Sequence, residues 1–293
     1  MKILLTALSS IIFLLNGYSA SDTTKNSTPN YKQILKEYPN YNQTNYNIPT
    51  FTYQPAKELQ NIKDDYNLDS VAGTGDEFSK ITNLMSWVHK TVKHDGSMRG
   101  PKKKDIASII DYCEKKNSGV NCRMLATVMN DVYLSMGFKS RVITCMPKAT
   151  GFVECHVINI VYSNQYKKWL WMDASFEAYV VDENQIPLGI GEVRDRLTTD
   201  KTVYVNKNFN WNGQPYPGGE AVYLHQYMSK NLFRFNCALH SKSAYESKFF
   251  GRTYIALYPV GYNPKNRTMG EKLKNILSTG YIIDNDKIFW ENP

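Results

Sequence analysis

The chain has 293 residues, with 35 lysines and arginines against 27 aspartates and glutamates and a formal charge of +8. Its length suffices to bury a sizeable core as one large domain or two closely packed parts. The basicity argues for a mild preference for acidic partners rather than for nucleic acid: the one dense run, Lys102-Lys103-Lys104, reads as a solvated loop with no nucleic-acid module around it.

In chain order, Met1 and Lys2 precede an apolar run from Ile3 to Leu15, and Gly17, Tyr18 and Ser19 follow. This pattern predicts a secretory signal peptide over residues 1–19, too short for a membrane span. No cysteine follows the run, which argues against a lipid anchor, and no later segment is apolar enough to cross a bilayer. The expectation is a protein exported to the periplasm or secreted. Its 21 tyrosines fit either a β-rich exported protein or a groove that handles polymers. Residues 20–55, rich in Asn, Thr, Tyr and Pro, predict an extended arm that could wrap on the domain through its tyrosines.

Helical segments are predicted at 56–65, 76–93 and 105–114. The second places Phe78, Ile81, Leu84, Met85 and Val88 on one face. A further helix starts at Cys122, with Leu125, Ala126, Met129, Val132, Tyr133 and Met136 at helical spacing and Gly137 as its stop. Cys122 then lies in the first turn, where unpaired N–H groups and the helix dipole favour a thiolate. Its own N–H is one natural donor to an oxyanion.

A strand at 140–145 is followed by two runs whose pairing can be counted. His156, Ile158, Ile160 and Tyr162 share one face of the first, and Trp169, Trp171 and Asp173 share one face of the second. If Ser163-Asn164-Gln165-Tyr166 form the loop, His156 lies opposite Asp173, with Cβ atoms roughly 4.5–5.5 Å apart. A two-residue change of loop length keeps both on one face, whereas a one-residue slip separates them. Beyond Asp173, strands are expected at 177–181, 201–205, 221–227, 232–238, 253–259 and 287–290. A short helical turn follows Gly189 and Gly191, and a helix is expected at 270–277. The resulting division is an arm over 20–55, a core over 56–200 and a β-rich C-terminal portion over 201–293 that extends the core sheet.

There are five cysteines, Cys113, Cys122, Cys145, Cys155 and Cys237. In an exported chain the odd count leaves at least one unpaired, as a nucleophile must be. Cys145 and Cys155 could bridge the base of a loop and brace His156, or both could be free and buried. Cys113 with Cys237 is a second conceivable pair. Cys122, Cys155 and His156 lack metal-ligand spacing.

Gly119-Val120-Asn121-Cys122 with Leu125-Ala126, then Met136 to Val142, Cys155-His156-Val157 and Lys168-Trp169-Leu170-Trp171-Met172-Asp173, resembles the transglutaminase-like core over about residues 81–180. The resemblance implies an α+β fold, a circularly permuted relative of papain-like proteases. In it a cysteine-bearing helix packs on an antiparallel sheet that carries histidine and aspartate. It also implies a catalytic set of Cys122, His156 and Asp173, acting as nucleophile, general base and orienting carboxylate on a peptide or protein amide. The CxxC zinc site of glycoprotein-deamidating relatives has no counterpart here; the upstream side-chain oxyanion donor that such enzymes add has Asn117, Asn121 and Trp87 as candidates, and no metal or organic cofactor is implied. The expected activity is cysteine-dependent amide hydrolysis or acyl transfer through a thioester. The alternatives are protein-glutamine γ-glutamyl transfer and an inactive binding or surface-structural module.

Overall fold

A computed structural model describes residues 29–150, 154–248, 251–264 and 278–293. The segment expected as a signal peptide and the helix expected at 270–277 lie outside them. Six strands form the central sheet: β2 (Ser140–Met146), β3 (His156–Ser163), β4 (Lys168–Met172), β7 (Arg234–Ala238), β9 (Arg252–Leu257) and β10 (Ser278–Ile283). Their order is β10-β9-β7-β2-β3-β4. All neighbours are antiparallel except β9 and β10, so the sheet is mixed rather than wholly antiparallel. Strands of the C-terminal portion thus continue the sheet that begins in the core. Two short pairs lie outside it: β1 (Thr52–Tyr53) with β8 (His240–Ser241), and β5 (Val180–Val181) with β6 (Tyr204–Val205).

Side-chain alternation gives the sheet two buried faces. Leu170 and Met172 point into one apolar cluster, Trp169 and Trp171 into the other. The first cluster is completed by α2 (Gln60–Asp65), α3 (Leu68–Ala72), α4 (Glu77–Thr91), α5 (Ile106–Lys116) and α6 (Cys122–Ser135). The apolar face of α4 meets α6, and the Tyr133 hydroxyl donates to the Ile81 carbonyl at 3.0 Å. From Met124 to Ser135 every residue of α6 is buried, because sheet and helices cover it on both sides. Each large apolar side chain buried there contributes about 1.5–3 kcal/mol.

Local signals set the ends of α6. The Asn121 side chain accepts from the Met124 N–H. At the other end Gly137 adopts φ +84°, its N–H reaches Leu134 O, and the Phe138 N–H reaches Tyr133 O at 2.9 Å. That is a Schellman stop, closed by contact between the Tyr133 and Phe138 rings.

On the other face the arm does wrap through its tyrosines. After α1 (Tyr31–Lys36), Tyr38, Tyr41, Tyr46 and Tyr53 pack on the second cluster. Two buried arginines anchor it. Arg141 on β2 bonds Tyr53 Oη and the carbonyls of Phe289 and Glu291, stacked between Phe51 and Trp169. Arg194 on α7 (Ile190–Thr198) donates to the carbonyls of Tyr38, Pro39 and Leu232.

Three expectations are corrected. Residues 221–227 are helical, running from Gly219–Val222 into a π-type turn, Tyr223–Met228. Their β-prone composition hides a helical face: Tyr223, Leu224 and Met228 are buried. Residues 287–289 likewise fall in a short helix, Asp286–Phe289, capped at its end by Trp290, and its N-cap Asn285 accepts from the Ile288 N–H. No disulfide joins the cysteines among the described residues, so Cys145 does not bridge to Cys155 nor Cys113 to Cys237. Cys145 instead sits fully buried on β2, directly opposite His156.

Candidate active site

His156 opens β3 and Asp173 immediately follows β4, so antiparallel pairing puts both at one end of the sheet. The β3–β4 register is two residues away from the counted one: Ile160 faces Trp171 and Tyr162 faces Trp169. The turn is 164–167 rather than 163–166, closed by Lys167 at φ +54°. No glycine marks that left-handed position, so the sequence carries no sign of it. A shift of two keeps the facing, and His156 Nε2 lies 2.6 Å from Asp173 Oδ2, both side chains fully buried. The remaining carboxylate oxygen accepts from the Ser175 N–H at 2.9 Å.

Cys122 comes to the other side of the same imidazole. Burial alone pushes its thiol up, but hydrogen bonds to His156 and to His94, the charge on His156 and the Val157 N–H outweigh burial and bring it down to about 5. For His156, burial acts downward, and the Asp173 carboxylate with the Cys122 sulfur raises it to about 10. Asp173 is held below its ordinary value: burial raises it, and the His156 charge, the Tyr223 hydroxyl and the Ser175 N–H prevail. The three residues named from the sequence are thus brought together as a thiolate–imidazolium–carboxylate row.

Four partners were not foreseen. The π-type turn sends two phenols into the site: Tyr223 Oη donates to Asp173 Oδ2 at 2.7 Å, and Tyr227 Oη lies 3.1 Å from His156 Nδ1. One extra residue per turn is a device that π segments often supply at functional sites. His94 bonds the thiol, and the Trp211 indole N–H bonds His94 Nδ1 at 3.0 Å. Trp211 stands in the polar run Asn210-Trp211-Asn212-Gly213, and a lone tryptophan there was the one available signal. Phe176 packs edge-on against His156, backed by Phe209 and Tyr216. This apolar wall strengthens every charge interaction inside it.

The second oxyanion donors considered from the sequence are engaged elsewhere. Asn117 caps α5, Asn121 caps α6, and Trp87 packs on Tyr66. Among the described residues no group of His, Cys, Asp and Glu is arranged to hold a metal, and no helix is long and apolar enough to cross a membrane.

Residues 64–174 match the transglutaminase-like superfamily. Similar solved structures include a candidate cysteine protease from Cytophaga hutchinsonii, 15% identical, with a TM-score of 0.31 over 55% of this chain and 51% of that one. Another is Legionella pneumophila LapG, 11% identical, with a TM-score of 0.29 over 43% of this chain and 74% of that one. The chain therefore aligns with about half of the Cytophaga protein's length. No curated protein matches it. The segment 64–174, which holds Cys122, His156 and Asp173, is a transglutaminase-like superfamily domain.

Proposed function

We propose that this is an exported cysteine-dependent amide hydrolase acting on peptide or protein amides, with Cys122, His156 and Asp173 as its catalytic triad. The observation that carries the reading is the row in which buried Asp173 holds the Nε2 of buried His156 and the half-buried Cys122 thiol bonds the same ring. Export rests on the apolar N-terminal sequence.

In this reading the Cys122 thiolate attacks the amide carbon, a C–S bond forms, and the carbonyl π electrons move onto oxygen. The tetrahedral intermediate collapses with cleavage of the C–N bond, and the His156 Nδ1 proton goes to the departing amine. Nε2–H remains on Asp173, which keeps the now neutral ring in the tautomer whose Nδ1 can accept. Water then adds to the thioester as Nδ1 takes its proton. The C–S bond breaks, the acid leaves, and the thiolate–imidazolium pair is restored.

The test is the rate of iodoacetamide labelling against pH for wild type, Cys122→Ala and His156→Ala, with sites read by mass spectrometry. Peptide amides are then screened with and without a labelled amine. Fast labelling of Cys122 below neutral pH, slowed in His156→Ala, supports the reading. An ordinary slow thiol indifferent to His156 overturns it and favours a binding module. Incorporation of the amine in place of water would make the enzyme a transferase.

A further inference from the structure

We propose that His94 is a second catalytic histidine, a neutral Nε2–H donor to the oxyanion formed when Cys122 attacks a carbonyl, with Trp211 holding it in that tautomer. The proposal rests on the reading of Cys122 as the nucleophile.

The indole N–H of Trp211 can only donate, so His94 Nδ1, 3.0 Å away, must accept. A neutral imidazole that accepts at Nδ1 carries its proton on Nε2, and that is the ring atom left to bond the Cys122 sulfur. With no lone pair on Nε2, His94 cannot take the thiol proton, and that task falls to His156.

The backbone around His94 is fixed on both sides. Its N–H donates to Asn212 Oδ1 at 2.8 Å, and its carbonyl accepts from Asn212 Nδ2 at 2.9 Å. It also pairs with Val120, two residues before the nucleophile, through Val120 N–H to Lys93 O and Asp95 N–H to Val120 O. Phe176 packs against the ring at a centroid distance of 6.1 Å. A donor so placed needs no rearrangement as charge passes from sulfur to carbonyl oxygen, which is the condition for effective oxyanion stabilisation. Trp211 itself is 39% exposed and sits on a short turn closed by Trp211–Gln214 backbone bonds. A surface side chain thereby sets the proton position of a half-buried catalytic ring. Trp211 is a positioning residue.

Two probes separate this role from the simpler one of stabilising the thiolate. Iodoacetamide alkylation is a displacement without an oxyanion, whereas acylation by p-nitrophenyl acetate passes through one. Both rates are measured at Cys122 on their high-pH plateaus for wild type, His94→Ala, Trp211→Phe and Cys122→Ala. The expected result for His94→Ala is acylation lowered about a hundredfold with the alkylation plateau changed far less. Trp211→Phe should fall between, as the ring is released to either tautomer. A preserved alkylation plateau also certifies the fold of each variant. Equal loss of both rates, or loss of neither, overturns the proposal. Absence of a Cys122-dependent p-nitrophenolate burst in wild type overturns the nucleophile reading, and this proposal with it.

Discussion

The Tyr223 hydroxyl and the His156 Nε2–H share one oxygen of Asp173, at 2.7 Å and 2.6 Å. With Ser175 N–H on the other oxygen, the buried carboxylate has three donors, enough to keep it ionised without solvent. Tyr223 is wholly buried against Phe176 and Phe209, so the phenol is placed by packing before it bonds.

Tyr223→Phe keeps the ring and removes one donor. Stability should fall by about 1 kcal/mol, the usual net worth of such a bond. Because Asp173 aims the imidazole, acylation of Cys122 by p-nitrophenyl acetate should slow by roughly three- to tenfold. Thermal unfolding and acylation kinetics on the same preparation check both, and an unchanged rate would show that Tyr223 serves packing alone.

The pH window of the Cys122–His156 pair follows from opposite displacements. Cys122 is lowered to about 5 and His156 raised to about 10, so thiolate and imidazolium coexist between those limits. Iodoacetamide labelling needs only the thiolate, so it should rise as pH passes about 5 and hold a plateau across neutrality. Replacing Asp173 by Asn removes the charge that keeps His156 an imidazolium beside the thiolate, so the rise in labelling should move up toward the ordinary thiol range. Iodoacetamide labelling of Cys122 against pH for wild type and Asp173→Asn reads this directly; coincident curves would refute it.

A second buried carboxyl predicts a stability change unrelated to catalysis. Asp131 on α6 is raised from 3.8 to about 7 because burial outweighs its bonds from Ser243 and Ile106, and its Oδ1 has no partner. Between about 3.8 and 7 the folded chain keeps a proton that the unfolded chain has released, so stability falls as pH rises through that interval. Asp131→Asn removes this dependence. From pH 5 to 8 the stability difference should shift in the variant's favour by about 3 kcal/mol. Denaturant titrations at the two pH values measure it, and a constant difference would mean that Asp131 is ionised throughout.

What the sequence disclosed was whatever has a local period or a cap. Helices α4 and α6 were legible from apolar spacing and Gly137, and the shared facing of His156 and Asp173 survived because strand parity tolerates an even shift. The exact register was not legible, since Lys167 takes a left-handed turn position that nothing in its type announces. Nor were His94 and Trp211, which meet across 117 residues. Tyr223 and Tyr227 were assigned to a strand, and only a π-type turn packed under the sheet end aims both at the triad. Local propensity loses there to tertiary packing.

Gly119, the first residue of the Gly-Val-Asn-Cys run, is required for close approach rather than for a turn. A Cβ on it would lie 2.7 Å from the Lys93 carbonyl oxygen and 3.0 Å from the Asp95 backbone nitrogen. Both are main-chain atoms, so no side-chain rotation relieves the clash. The same crossing carries the bonds Val120 N–H to Lys93 O and Asp95 N–H to Val120 O, which tie the His94 segment to the lead-in of α6. Gly119→Ala should therefore force the two segments apart, at a cost of about 1–3 kcal/mol in stability. The functional loss should be disproportionate, because His94 would be withdrawn from Cys122 while His156 stays on its strand. The thiol should keep most of its labelling at neutral pH and lose most of its acylation by p-nitrophenyl acetate. Loss of labelling and acylation in equal measure would instead mean that the substitution displaces the α6 N-terminus as a whole.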